Sequence, residues 1–320
     1  MYNSYMTGKP RVGISTCLLG ENVRYDGGHK LDRYLRDLLG RYVEFVPVCP
    51  EVECGMGVPR EAVRLVAVDG DIRLVTQRTK VDKTGQMKQW MTGKLAELSS
   101  LALCGFIFKS QSPSSGLQGV KVYHPKGVAH DGVGLFARGV TGAFPLLPVE
   151  DDGRLNDDRI RENFIERIFI MQRWHELGRP PKSLKDIIDF HAAHKYTLMS
   201  HCPRTLKELG ALLARGKQSA PDVLYAEYFG KFITALAKIA TVKKNTNVLL
   251  HIMGYFKENL DPDEKSELKQ LIDSYHAEQL PLIVPVTLIN HYVRKYEPEY
   301  LAKQVYLNPH PLELMLRNHV

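Results

Sequence analysis

No apolar run in this 320-residue chain is long enough to cross a bilayer as a helix, so a helical membrane protein is excluded. Met1 to Arg11 lack both the apolar stretch and the small-residue cleavage site of a secretory signal, and the expectation is a cytoplasmic protein. Cysteine is scarce: the five present cannot all pair, which argues against a disulfide framework and for thiol or metal chemistry at some of them. No two histidines sit one helical turn apart around a glutamate as in zinc peptidases, and His191, His194 and His201 read as packing or polar contacts rather than metal ligands. Internal repeats and low-complexity tracts are missing too. Nor is one sign of charge concentrated. The net charge of +7 suits an anionic partner such as nucleic acid, yet from Lys185 onward 17 basic residues face 15 acidic ones.

What is present describes a globular protein of two domains, with 44% apolar and 25% charged residues. Short apolar or β-branched runs at Arg11 to Ser15, Val43 to Val48 and Leu103 to Lys109 alternate with helical spacing at Leu31 to Leu39 and Gln86 to Leu101. This predicts a Rossmann-like α/β domain with an open, mostly parallel sheet. Asp69-Gly70 between Val63 to Val68 and Asp71 to Thr76 predicts a hairpin. A Pro, Gly and acidic stretch from Pro145 to Asp158, a helix over Ile160 to Trp174 and the linker Gly178-Arg179-Pro180-Pro181 lead to an all-helical second domain. Its helices are expected at Leu184 to Tyr196, Thr205 to Ala214, Leu224 to Ala240, Val248 to Asn259, Pro262 to Glu278 and Val286 to Tyr296. Asp261 is the expected cap of the fifth, with Pro262 in its first turn. The domains are placed at residues 1–180 and 181–320.

Ligands of open parallel sheets bind beyond the carboxyl ends of the strands. The three strands here run into Cys17-Leu18-Leu19-Gly20, Cys49-Pro50-Glu51 and Ser112-Pro113-Ser114-Ser115-Gly116. If the strands are neighbours, two thiols, a carboxylate and a serine-rich turn share one rim, a donor set for a thiophilic metal with an acid or base beside it. Singly, each has a plain structural reading: a lone cysteine after a strand is commonly a small buried hydrophobe, and Cys-Pro and Ser-Pro are turn formers. Cys54, Cys104 and Cys202 are read in that structural sense, with Cys54 kept in play by its closeness to Cys49.

These segments, together with Arg24-Tyr25-Asp26-Gly27-Gly28-His29, Pro59-Arg60-Glu61 and Lys109-Ser110-Gln111 before the serine turn, resemble the thiouracil desulfurases. His191-Ala192-Ala193-His194-Lys195, the run Lys243 to Leu249, His251 to Tyr255 and Asn308-Pro309-His310-Pro311 resemble the helical domain fused to such enzymes in RudS-type desulfidases of 4-thiouridine in tRNA. The resemblance implies a 4Fe-4S cluster held by Cys17 and Cys49, with Glu51 and Ser112 as the catalytic polar pair. Family members commonly carry a third cysteine where this chain has Ser115. Three accounts stand open: Ser115 is the third ligand, Cys54 or Cys104 replaces it, or the cluster is weakly held. The implied substrate is 4-thiouridine in tRNA, with free thiouracil or thiolated nucleotides as the alternative. A non-catalytic RNA-binding protein and an iron-sulfur sensor are the readings from other classes. Lys243, Lys244 and Asn245, placed between two helical runs, and Arg294 with Lys295 are the candidate phosphate contacts, against the plain reading of a solvated helix face.

Overall fold

The computed structural model describes residues 8–178 and 183–319. The chain divides into two compact units, whose described parts are 8–157 and 158–178 with 183–319. The expected division at 180/181 lies outside the described residues, and the long helix before it groups with the second unit.

The first unit holds two four-stranded sheets. In one, β1 (Arg11–Ser15), β2 (Glu44–Val48), β5 (Gly105–Phe108) and β8 (Val149–Asp151) are all parallel, in the order β2-β1-β5-β8. The three strands read from sequence are thus neighbours, and the chain changes direction of travel at β1, the switch point at which such sheets open a crevice. The expected hairpin is β3 (Val63–Val68) with β4 (Asp71–Thr76), antiparallel in full register. It belongs to a second, mixed sheet completed by β6 (Val120–His124) and β7 (Gly127–Gly132). That pair was not expected, because Gly127-Val128-Ala129-His130-Asp131-Gly132 carries almost no strand propensity and has a glycine at each end.

Two helices complete the unit, α1 (Thr84–Ser100) and α2 (Leu135–Ala143). With β2 and β5 they enclose a core of Val48, Leu98, Phe106, Phe108, Phe136 and Val140, in which Phe106 and Phe108 stack at 4.3 Å. A second core, with Leu65, Leu74, Met87 and Val122, fastens the mixed sheet. Leu31 to Leu39 is not the regular helix its leucine spacing predicts. It forms only a π-helical turn, Tyr34–Leu38, followed by a 3-10 turn, Leu39–Arg41, with Leu35 and Leu39 buried.

The second unit is helical throughout among the described residues: α3 (Asp158–Glu176), α4 (Leu184–Ala193), α5 (Lys195–His201), α6 (Pro203–Ala214), α7 (Pro221–Leu236), α8 (Val242–Met253), α9 (Pro262–His276), α10 (Ile283–Tyr296) and α11 (Glu299–Ala302). Trp174 of α3 is fully buried and stacks on Phe229 at 4.4 Å and on Tyr225 at 4.1 Å. A second core gathers Val248, Ile252, Phe256, Leu268, Ile272, Val286 and Ile289 from α8, α9, α10 and the turn after α8. Asp261 and Glu264 form a complete capping box at the start of α9. The single helix expected over Leu184 to Tyr196 is broken at His194, where the backbone leaves the helical region. No helix of the described residues is long and apolar enough to cross a membrane.

Candidate active site

The parallel register sets the site. Ser15 lies opposite Val48 and Ile14 opposite Ile107, so Cys17, Cys49 and the segment after Phe108 leave the sheet side by side. A cleft of about 920 Å³ opens there, and Cys17, Cys49, Glu51, Ser112 and Ser115 all line it. Its far wall comes from the mixed sheet, with Arg64, Lys121 and Tyr123.

The loop after β2 fixes Cys49 and Glu51 together. Its backbone closes a π-helical turn, Val52–Met56, at whose start the Cys49 N–H donates to Glu53 Oε1 at 2.9 Å. Glu51 is held at both oxygens. Arg60 donates to Oε2 through Nε at 2.8 Å and Nη2 at 2.7 Å, and Ser114 donates to Oε1 at 2.8 Å. The remaining Arg60 nitrogen donates to the Val23 and Gly57 carbonyls, so the guanidinium is anchored to the walls on either side. With side chains only 7% and 12% exposed, this is a buried pair in which neither charge is left without its partner.

The serine turn is built by close backbone approach. The Gly116 N–H donates to the Ser112 carbonyl at 2.7 Å, and a Cβ on Gly116 would sit 2.8 Å from that oxygen. Gly134, before α2, packs harder: a Cβ there would lie 2.5 Å from the Ser114 carbonyl group. The first free N–H groups of α2 use the turn as their cap, since Phe136 donates to the Ser114 oxygen at 2.8 Å and Leu135 to that of Pro113 at 3.3 Å. Ser114 and Ser115 are buried, whereas Ser112 is half-buried and reaches the cleft.

Beside the thiols, the Lys109 ammonium bonds Asp152 at 2.8 Å, and Asp152 also accepts the Ser110 N–H at 2.6 Å. Burial, then the neighbouring Cys49 thiol, push Cys17 up to about 11, with Lys109 and Arg24 opposing. Burial raises Cys49 as well. Thiols that ionise reluctantly on their own would be converted to thiolates by a bound metal.

Of the alternatives for a third ligand, Cys104 sits at the amino end of β5, fully buried, with its N–H on the Arg11 carbonyl. The four residues of the strand separate it from the rim by roughly 13 Å. Cys54 packs in the core of Leu65, Leu74 and Met87. Its thiol contacts the Glu51 carbonyl at 3.5 Å. Of these three, Ser115 is the one that lines the cleft. Among the described residues no three His, Cys, Asp or Glu side chains form a metal site. Two thiols and a hydroxyl fit an iron-sulfur cluster at two corners with soft donors and at the third with a hard one.

In the helical unit two expectations are corrected. Lys243, Lys244 and Asn245 do not sit between helices but on the first turns of α8, whose cap is Thr241. Asn245 is buried, donating to the Tyr275 hydroxyl at 3.1 Å and accepting from that of Tyr306 at 3.1 Å, so its amide does not face a phosphate. Lys244 donates to the His201 carbonyl at 2.7 Å, and Lys295 bonds Glu264 at 2.7 Å. Lys243 and Arg294 are exposed. Sequence reasoning missed Arg60 and Ser114 as partners of Glu51 and Gly134 as the seat of the serine turn. For Arg60 the signal was its place in Pro59-Arg60-Glu61; for Gly134 there was none.

Residues 12–152 match the 2-thiouracil desulfurase family, and residues 195–311 match a family described as a protein of unknown function, DUF1722. The chain is 30% identical over 165 residues to the uncharacterized protein YbgA of Escherichia coli (strain K12), spanning 51% of this chain and 98% of that one. It is 28% identical over 109 residues to the uncharacterized protein YbbK of Bacillus subtilis (strain 168), 32% of this chain and 71% of that one. Among solved structures, a [4Fe-4S]-dependent thiouracil desulfidase, TudS, is 27% identical and covers 47% of this chain and 95% of its own, with a TM-score of 0.38. The chain is a relative of YbgA in which residues 12–152 form a region that matches the 2-thiouracil desulfurase family and residues 195–311 a region that matches DUF1722.

Proposed function

We propose that the chain is an iron-sulfur-dependent desulfidase that converts 4-thiouridine in tRNA to uridine with release of hydrogen sulfide. The observation that carries the reading is the convergence of Cys17, Cys49 and Ser115 with the clamped carboxylate of Glu51 on one sheet rim. When bound by these three residues, a 4Fe-4S cluster would supply an open, thiophilic Lewis-acid position suited to a thiocarbonyl sulfur. The protein groups do the rest. Glu51, held by Arg60, acts as general base toward the water that attacks the ring carbon, and Ser112 hydrogen-bonds the reacting partners at the cleft surface. Water adds to the ring carbon, the added hydroxyl gives up its proton to form the carbonyl as the carbon-sulfur bond breaks, and that proton and the one taken by Glu51 both go to the departing sulfur as hydrogen sulfide, so no net electron transfer is needed.

For tRNA, the support is the helical unit. Exposed Lys243 stands on α8. Arg294 lines a groove of about 410 Å³ with Asn290 and Asn308, whose amides bond each other. Cations and amides of this kind suit phosphate and base edges. The test is a substrate panel with anaerobically reconstituted protein: tRNA bearing 4-thiouridine, 4-thiouridine monophosphate and free 2-thiouracil. Preference for tRNA by kcat/KM supports the reading; equal or better turnover of the free base overturns the tRNA assignment while leaving the desulfurase one.

A further inference from the structure

A serine hydroxyl ordinarily rotates to donate or accept as its ligand requires. The geometry around Ser112 removes that freedom. The Glu51 carboxylate is an acceptor only, and Ser114 donates its one hydroxyl hydrogen to Oε1 at 2.8 Å. Ser114 must then accept in its 3.0 Å contact with Ser112, so the Ser112 hydrogen points at Ser114. Ser112 also accepts the Ser115 N–H at 3.1 Å. What remains is a single lone pair, on a side chain that lines the cleft. The lock is stiff at its far end, because Arg60 takes Glu51 Oε2 with two donors and Ser114 is buried in a turn capped onto α2.

We propose that Ser112 is held as an obligate hydrogen-bond acceptor by the line Glu51–Ser114–Ser112, and that it thereby selects thiopyrimidines whose ring nitrogen next to the thiocarbonyl carries a hydrogen. Uracil-type rings, 2-thiouridine and 4-thiouridine alike, present N3–H beside the carbon-sulfur bond. In 2-thiocytidine the same nitrogen is itself an acceptor and would face the Ser112 lone pair, which leaves two desolvated acceptors opposed. Ser114 is in this account a positioning residue that sets the polarity of Ser112. The inference rests on the desulfurase reading only in bringing a thiopyrimidine to this cleft.

The test is equilibrium binding of 2-thiouridine and 2-thiocytidine to the reconstituted full chain, for wild type, Ser114→Ala, Ser114→Thr and Ser112→Ala. The expected result is a preference for 2-thiouridine of about tenfold or more in wild type, the loss typical of a buried acceptor without a donor. Ser114→Thr, which keeps the hydroxyl, retains it. In Ser114→Ala, where Ser112 is free to turn its hydrogen outward, and in Ser112→Ala, the ratio falls toward one. A wild-type ratio near one, a ratio unchanged in both alanine variants, or no binding of either nucleoside overturns the inference. The expected ratios without sulfide release from 4-thiouridine would refute the desulfurase reading and leave the selectivity device standing.

Discussion

In the proposed cluster site Ser115 stands where the resemblance to the desulfurases implies a third cysteine, and the consequence follows from donor chemistry. An oxygen ligand would reach iron only as an alkoxide and is a harder donor than thiolate, so Ser115 would be the weak member of the proposed ligand set. Ser115→Cys is expected to raise the iron retained per chain after gel filtration in air, while Cys104→Ala, at the far end of β5, leaves iron content unchanged. A fall in iron on removing Cys104, measured by colorimetric iron assay, would move the ligand set. At this scale much of the site was legible. Cys17, Cys49, Glu51, Ser112 and Ser115 were each readable as residues just past a strand, because a parallel sheet brings strand ends together whatever the intervening loops do. Ser114 and Arg60 were not legible as partners of Glu51, since their bonds depend on how two loops fold back toward each other, a matter of tertiary geometry rather than spacing.

At the scale of elements, the serine turn is a graft onto the amino end of α2. Two glycines make that possible by absence of side chain, Gly116 inside the turn and Gly134 against it. Gly134→Ala places a methyl group 2.5 Å from the Ser114 carbonyl group. The turn must shift, at an overpacking cost of about 1–3 kcal/mol. The expected outcome is a folded protein, by circular dichroism, with at least tenfold lower kcat and a thermal midpoint lowered by several degrees; full activity would show that the turn tolerates displacement. The elements also mark where pattern reading ended. Leucine spacing over Leu31 to Leu39 predicted a helix, but the chain must bury Leu35 and Leu39 within a short crossover between parallel neighbours, and tight turns do so where a regular helix does not form. In the helical unit the reading succeeded wherever a capping device was local, as at Asp261, and slipped where the start depended on Thr241 alone.

At the scale of the whole molecule, the helical unit carries buried ionisable groups that the chemistry of the cleft does not use, and they set its response to acid. Burial, with Arg173 nearby, lowers His194 to about 3, and burial, with Arg317, lowers His310 to about 4. Both are neutral when folded and take up protons on unfolding below the ordinary histidine value of 6.5, so stability falls as pH drops from about 6.5 through the folded values. Glu166 adds to this at lower pH. Burial would raise it, but the His201 bond and the charges of His201 and Arg317 outweigh burial and bring it to about 2, so its contribution is lost between about pH 4.5 and 2. Thermal midpoints of the full chain should therefore decline steadily below pH 6.5, and a flat profile from pH 7 to 5 would contradict the burial of neutral His194 and His310. The proposed surface for RNA lies on the same unit. Lys243→Glu and Arg294→Glu are expected to weaken tRNA binding several-fold each and to flatten its dependence on salt concentration, as loss of phosphate contacts requires. Unchanged affinity and salt slope in filter-binding measurements would take the helical unit out of tRNA recognition.

The most direct test of the central claim, that the sheet rim is a desulfurase site built on Cys17, Cys49, Ser115 and Glu51, is made on anaerobically reconstituted protein with 4-thiouridine-containing tRNA. Near-ultraviolet absorbance of the thiolated base and released sulfide are followed together in wild type, Cys17→Ala and Glu51→Ala. The account predicts matched loss of absorbance and gain of sulfide in wild type, low iron and no turnover in Cys17→Ala, and normal iron with turnover reduced at least a hundredfold, roughly the share of a general base, in Glu51→Ala. Iron-loaded wild type that leaves both tRNA and free thiopyrimidines unchanged would contradict it.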